Sequence, residues 1–370
     1  MSSMSQRLSQ HPRYLALLGT LFLGTVYFLY QAHSAAPKMQ YTDLLAATKD
    51  LSSSSNTCGA NILPGAETHL ALTLQGSERR YQRMIGIREK FLVETGVIPN
   101  TAFSDWRSIP WDFFIPEFTC PHPMYRVGTV AEGGKWVCGL ERVLHSNPNC
   151  IVYSLNNNSA SYSSFEVNML EKSPACQVHA FDLNAAPRTA SSWPWGDAAD
   201  NIDTTLLGSR VHFNRFALAN PTVPNHHSLK SVMGTLGHEW IDILKVCISF
   251  RFLSSYHVER ISRFARRQIE LNGSEFATLL SIIAEYGNKP LPFGQLVVTI
   301  QALQSEDMTT MGQFHQWWQR LECAGLRPVY FELGMMDINN RRQDPGVSYW
   351  TFINVRGTHA LIDDTLPEYP

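Results

Sequence analysis

Charge is scarce in this chain. Only 17% of its 370 residues are Asp, Glu, Lys or Arg, against about 25% in an ordinary globular domain. With 44% apolar residues, a mainly disordered chain is excluded. Neither sign dominates, with 30 Lys+Arg against 32 Asp+Glu and a net charge of −2. No basic excess is present to meet a phosphate backbone, so nucleic acid is not the expected partner. None of the seven cysteines forms a C-x-x-C pair, which sets aside a zinc ribbon or a thioredoxin-type site. His226-His227 and His238 lack the HxH or HExxH spacing of a metal site, so no metal is expected. Gly-x-Ser-x-Gly is missing, against an α/β-hydrolase, and no fixed-period repeat is visible.

What is present begins at the N-terminus. Tyr14 to Tyr30 reads YLALLGTLFLGTVYFLY, 17 residues without a charge, and extension to His33 reaches the roughly 20 residues that span a bilayer as a helix. Arg7 and Arg13 precede the run, and the next cation is Lys38. The positive-inside rule keeps the N-terminus cytoplasmic and sends the body into the lumen. The expectation is a cytoplasmic tail (1–13) and a transmembrane signal anchor (14–32) of a single-pass type II protein facing the Golgi lumen. A cleaved signal peptide is the alternative, with Ala32, Ser34, Ala35 and Ala36 as small residues at the cleavage site. Either route places the body in an oxidising compartment, where an odd number of cysteines leaves one over. Residues 33–75, with LSSSSNT at 51–57, suit a stem. Residues 76–149 form an aromatic-rich extension whose Trp106, Trp111, Phe113, Phe114, Phe118 and Trp136 are expected to pack on a core.

From Cys150 the pattern alternates. CIVYSL (150–155), CQVHAFD (176–182), RVHFNRFAL (210–218), IDILK (241–245), GQLVVTIQ (294–301), RPVYFE (327–332) and SYWTFINV (348–355) read as strands. SYSSFEVNMLEK (161–172), FATLLSIIAEYG (276–287) and MGQFHQWWQRLECAGL (311–326) carry apolar residues at helical spacing. Such alternation implies βαβ units, a mainly parallel sheet and a ligand site beyond the carboxyl ends of the strands.

Six phrases then occur in order: GGKWVCGLE (133–141), CIVYSLNNNSASYSSFE (150–166), CQVHAFD (176–182), HEWIDILK (238–245), NGSEF (272–276) and SYWTFIN (348–354). Together they resemble the methyltransferase-like protein 24 family, which carries an FkbM-type methyltransferase domain. The resemblance implies an α/β fold of the class I methyltransferase kind, a Rossmann-like doubly wound sheet over residues 150–360, and S-adenosyl-L-methionine as the cofactor. It implies Tyr153, Ser154, Asn156 and Ser159 in the first loop, around the methionine part of the cofactor. It makes Asp182 the acid that bonds the ribose hydroxyls, as an acid does in dinucleotide folds; a strand-end acid bonding turn amides is the plainer alternative. Lys245, Glu270 and Glu275 are its candidate catalytic residues, the two acids as groups able to orient or deprotonate an acceptor hydroxyl. Glu275 reads equally well as an acid at a helix N-terminus, and Lys245, on a buried strand, needs a neutralising partner such as Glu270.

The chain departs from that family in three places. The first loop, Asn156-Asn157-Asn158-Ser159-Ala160, has no glycine. The family's DGGK is Glu132-Gly133-Gly134-Lys135. Thr299-Ile300-Gln301 stands where Glu-Ile-His is expected. In addition, joining Lys245 to Ile269 gives LKIELNGSEF, the family's phrase, so residues 246–268 interrupt it. Val246-Cys247 can be encoded by an intron donor sequence and Gln268 by an acceptor, and losing the stretch removes Cys247, leaving an even number of cysteines. Residues 246–268 therefore read as a retained intron; a genuine basic insertion on the surface is the alternative. The functional expectation is a membrane-anchored lumenal methyltransferase acting on oxygen of an unknown acceptor, such as a glycan. A catalytically silent binding or scaffold protein of the same fold is the alternative. A glycosyltransferase shares the anchor-and-stem plan but lacks a convincing Asp-x-Asp motif.

Overall fold

The computed structural model describes residues 23–25, 68–95, 110–130, 133–147, 149–156, 163–182, 193–196, 203, 208–218, 226–247, 274–302, 308–339 and 345–367. The chain divides into two units. The first, Met1–Met39 with Thr222–Pro224, is described only at residues 23–25, which are helical and exposed. The rest of the expected anchor, with Pro37 after it, lies outside the described residues. Among the described residues no helix is long and apolar enough to cross a membrane.

The second unit carries the fold. Its elements are helix α1 (His69–Glu94), α2 (Pro110–Phe113), β1 (Met124–Val127), β2 (Lys135–Cys138), α3 (Leu140–Ser146), β3 (Ile151–Asn156), α4 (Ser164–Lys172), β4 (Gln177–Phe181), β5 (Val211–Asn214), β6 (Ala217–Leu218), β7 (His226–His227), α5 (Leu229–Leu236), β8 (Ile241–Cys247), α6 (Ser274–Tyr286), β9 (Phe293–Gln301), α7 (Met311–Cys323), β10 (Leu326–Leu333), α8 (Met335–Asn339) and β11 (Val347–Asn354). Seven strands form one sheet in the order β10-β11-β9-β8-β3-β4-β5. β5, β4, β3, β8 and β9 run parallel, and β11 runs antiparallel to both β9 and β10. From β3 the chain winds outward through β4 to β5, then returns to β8 and winds the other way. The strand order therefore reverses between β3 and β8, where open α/β sheets bind their ligands.

Both faces of the sheet are covered, which is why its central strands read as near-continuous apolar runs. Tyr153, Leu244, Val246, Leu296 and Val298 face one core, with Phe276, Leu280, Phe314, Trp317 and Trp318 from α6 and α7. Val152, Val178, Ile243 and Val297 face the other, with Val137, Leu140, Phe165, Met169 and Leu170. A buried ionic web ties α1 to the far edge of the sheet. Glu322 accepts from Tyr81 Oη at 2.6 Å and Arg88 Nη2 at 2.8 Å, and Arg327 meets Glu78 at 2.8 Å.

Several expectations need correction. α1 begins inside the stretch assigned to the stem: Thr68 caps it by accepting from Ala71 N, and Leu70 and Leu74 are already buried. RVHFNRFAL is not one strand. β5 stops at Asn214, and Ala217–Leu218 leaves the sheet to pair with His226–His227. β3 runs on to Asn156, so Tyr153 and Ser154 are strand residues rather than loop residues. The stretch 246–268 does not leave the sheet at its first residue. Val246 is fully buried, paired with Leu155 and Val298, and Cys247 is paired with Asn156. A valine after Lys245 satisfies the same alternation that an isoleucine would, so the strand continues. Disulfides join Cys120 to Cys138 and Cys150 to Cys176, Cys323 is also disulfide-bonded, and Cys247 is free, the cysteine left over by the odd count.

Candidate active site

Strand register sets the site. Ser154 of β3 lies beside Lys245 of β8, which lies beside Val297 of β9. One step toward the carboxyl ends come Asn156 and Cys247, then Thr299 and Tyr349, which pair with each other. Because side chains alternate along a strand, Ser154, Lys245, Cys247 and Thr299 share the face that α4 covers. Tyr153 falls on the other face, fully buried, its hydroxyl 2.7 Å from His238 Nδ1. It therefore stands apart from the residues it was expected to join.

A residue that sequence reasoning missed holds this face together. Glu166, in the first turn of α4, is fully buried. Its Oε1 accepts from Lys245 Nζ at 2.6 Å and from Ser154 Oγ, and its Oε2 accepts from Ser163 Oγ. Burial opposes ionisation, but the Lys245 ammonium and the hydroxyl donors outweigh it and hold the carboxyl below its ordinary value. Lys245 thus has its neutralising partner on α4. The anticipated partner, Glu270, lies outside the described residues, as does Ser159. The signal for Glu166 was present: an acid on the same helical face as Met169 and Leu170 is a charge pointed at the core.

Lys135 reaches the same face from β2. Its side chain is 4% exposed, and its Nζ sits 3.8 Å from the centroid of the Tyr349 ring. Burial lowers its proton affinity and nearby Lys245 lowers it further, against the opposing influence of Cys247 and Glu166. Thr299 Oγ1 donates to Cys247 Sγ at 3.4 Å. The lysine was visible as the end of the GGK phrase, but nothing in its spacing marked it as a buried charge.

The remaining candidates sit at the strand ends. Asp182 follows β4 directly and is 2% exposed, with its amide donating to Asn214 O at 3.0 Å. Glu275 opens α6 and is fully buried. Its Oε1 accepts from Gln301 N at 2.8 Å, joining the end of β9 to the start of α6. Burial pushes its carboxyl up to about 7, and its Oε2 has no hydrogen-bond partner among the described residues. Of Asn156, the backbone alone is described. Among the described residues no group of three His, Cys, Asp or Glu is placed to hold a metal ion.

Comparison with known proteins gives one sequence match of note. Residues 81–249 match the model of a family described as a methyltransferase domain. Among curated proteins, none matches the sequence. Among solved structures, the chain is similar to the fibrillarin pre-rRNA processing protein of Methanococcus jannaschii, with 12% identity over 57% of this chain and 69% of that chain and a TM-score of 0.33. It is also similar to a human methyltransferase 10 domain containing protein, with 9% identity over 59% of this chain and 79% of that chain and a TM-score of 0.31.

Proposed function

We propose that this chain is an S-adenosyl-L-methionine-dependent methyltransferase of the methyltransferase-like protein 24 kind. It acts on oxygen of a secretory-pathway acceptor such as a glycan, and Tyr14–Ala32 anchors it in the membrane with its body toward the Golgi lumen. One observation carries the enzymatic part. The methyltransferase-domain match, residues 81–249, contains β3, α4, β4 and β8, the elements that build the switch point. The uncharged run Tyr14–Tyr30 supports the anchor, and the disulfides support an oxidising compartment.

The residues present suit that cofactor. Asp182 is an acidic group at the carboxyl end of the strand next to β3, and an ionised carboxylate accepts from two vicinal hydroxyls at once. When bound, S-adenosylmethionine supplies a methyl group on a positively charged sulfur. Glu166 fixes the end of β3, the start of α4 and β8 relative to one another, so the floor of the site is rigid before any ligand arrives. Lys245 serves that same floor, because its ammonium is taken by Glu166. Glu275, buried and with Oε1 taken by Gln301 N, ties the end of β9 to the start of α6.

Thr299 and Gln301, standing where the family resemblance puts an acid and a histidine, favour a second reading: a protein that binds the cofactor and does not turn it over. Isothermal calorimetry of the full chain with S-adenosylmethionine tests the shared part. Binding at micromolar affinity is the expected result, and no binding would sink both readings. Turnover with a panel of lumenal glycans then separates them.

A further inference from the structure

Three histidines meet on the face of the sheet opposite α4. His179 lies midway along β4, His212 is its register partner on β5, and His238 stands just before β8. The His179 and His212 rings stack with centroids 4.4 Å apart, and the His238 ring meets His179 edge-on at 4.7 Å. Tyr153 of β3 closes the group, its ring 5.6 Å from that of His179 and its hydroxyl on His238 Nδ1. His179 is 4% exposed, and neither of its ring nitrogens has a hydrogen-bond partner among the described residues.

Such a ring stays in the core only while it is uncharged. A proton would add a second unmatched donor and a buried charge. The charged groups that bear on His179 are His212 and His238, and the one that bears on His238 is His212, all of which gain charge of the same sign in acid. Farther out, Tyr286 of α6 bears on Tyr153, and Glu285 bears on Tyr286. The Glu285 carboxylate is already taken by Ser228 Oγ and Lys230 N. His227 lies against the Phe216 ring, which packs on Phe181. Among the described residues no carboxylate therefore acts on the stack. Burial and the two neighbouring histidines push His179 down to about 3. Its contribution to stability is complete above the ordinary histidine value and is lost as pH falls below that value.

The strand most easily released is β5. It has four residues, all half-buried, and lies at the sheet edge with β4 as its neighbour. Its carboxyl end is fastened to β4 by Asp182 N, which donates to Asn214 O, and by Asn214 Nδ2, which donates to Ala180 O. Asp182, the acid assigned to the ribose, thus takes its place from the strand pair that the histidines span.

We propose that His179, His212 and His238 form an acid-sensitive latch between β4 and β5. Uncharged, the stacked rings hold the edge strand. In mild acid they take up solvent protons by parting, which frees β5 and loosens the seat of Asp182. The latch stands on the ring geometry, whereas its effect on ligand binding rests on the cofactor assignment above.

Hydrogen exchange of the full chain near neutral pH and about one pH unit below the ordinary histidine value tests it, with rates corrected for the intrinsic pH dependence of amide exchange. Global stability is no substitute, because burial pushes up the carboxyls of Glu275 and Asp242, which favour the fold in acid. A ring that must stay neutral raises the opening constant about 10-fold at that lower pH. Amides of Val211–Asn214 should therefore exchange about 10-fold faster there, with those of β9 unchanged. His179→Phe combined with His212→Phe keeps two stacked rings, cannot take the protons, and should lose most of the difference. His212→Phe alone, at a half-buried position, should lose part of it. Equal β5 rates at the two pH values in the wild type overturn the latch, as does a difference that survives in the double variant. If the double variant is already open at neutral pH, an undiminished difference in His212→Phe overturns it instead. Calorimetry with S-adenosylmethionine at the same two pH values separates the two claims. Affinity that falls as β5 is released supports the link to Asp182, and unchanged affinity with β5 released overturns that link. No binding at either pH removes the cofactor assignment, while the exchange result still decides the latch.

Discussion

Lys245 Nζ lies 2.6 Å from Glu166 Oε1 with both side chains almost wholly out of water. Removing one partner of such a pair leaves an uncompensated buried charge and costs about 3–5 kcal/mol, whereas replacing both with neutral groups of similar volume is close to neutral. Lys245→Met should therefore destabilise the protein strongly in urea unfolding, and Lys245→Met combined with Glu166→Gln should recover most of the loss. If the double variant is no better than the single one, the pair is not the unit that matters. The pH dependence has a definite sign. The Glu166 carboxyl is held below its ordinary value, so its contribution is present above the ordinary glutamate range and is lost as pH falls through the depressed value.

Glu275 behaves in the opposite sense. Its folded-state carboxyl is pushed up to about 7, so the unfolded chain releases this proton first as pH rises. Stability should fall between about pH 4.5 and pH 7, by on the order of 3 kcal/mol from this group. Asp242, pushed up to about 6 by burial, adds to the fall at the lower end of that window. Urea midpoints at pH 5 and pH 8 should draw apart less in Glu275→Gln than in the wild type. Equal slopes in the two proteins would place the charge of Glu275 in water rather than in the core.

Asp182→Ala should weaken S-adenosylmethionine binding by about 1–3 kcal/mol, the scale of leaving buried polar partners unmet. The aspartate is 2% exposed, so a thermal melt of the variant belongs beside the calorimetry. Unchanged affinity would remove Asp182 from the site and leave it a strand-end residue.

Deleting residues 246–268 should give a shortened chain that melts at a higher temperature. Ile269 would take the place of Val246 between Leu155 and Val298, adding one buried methylene, worth about 0.8 kcal/mol. The gain is modest because Val246 already fills that position. A lower melting temperature, or transcripts that always contain the stretch, would mark 246–268 as a native part of the protein.

The central strands were legible because burial on both faces writes itself as apolar, β-branched runs: CIVYSL and GQLVVTIQ could hardly be anything else. The break at Arg215–Phe216 was not legible, since a strand that leaves its sheet keeps its local composition. The opposite placement of Tyr153 and Ser154 was implicit in strand alternation once β3 was extended to Asn156, but where a strand ends is poorly marked by sequence. The burial of Glu166 was legible from its place on the helical face of Met169 and Leu170, but its partners were not: Ser154 and Lys245 lie on separate strands, 12 and 79 positions away. Lys135 was likewise a motif residue whose burial depends on Tyr349, far along the chain.

Cys247 is the free thiol among the described residues, and it is partly accessible to solvent. It sits at the end of β8, beside Thr299, whereas Cys150 and Cys176 are locked together at the opposite ends of β3 and β4. Among the described cysteines, a maleimide dye added to the oxidised protein should therefore attach at one place. Its fluorescence would report ligand arrival at the switch point with every native side chain but that one intact.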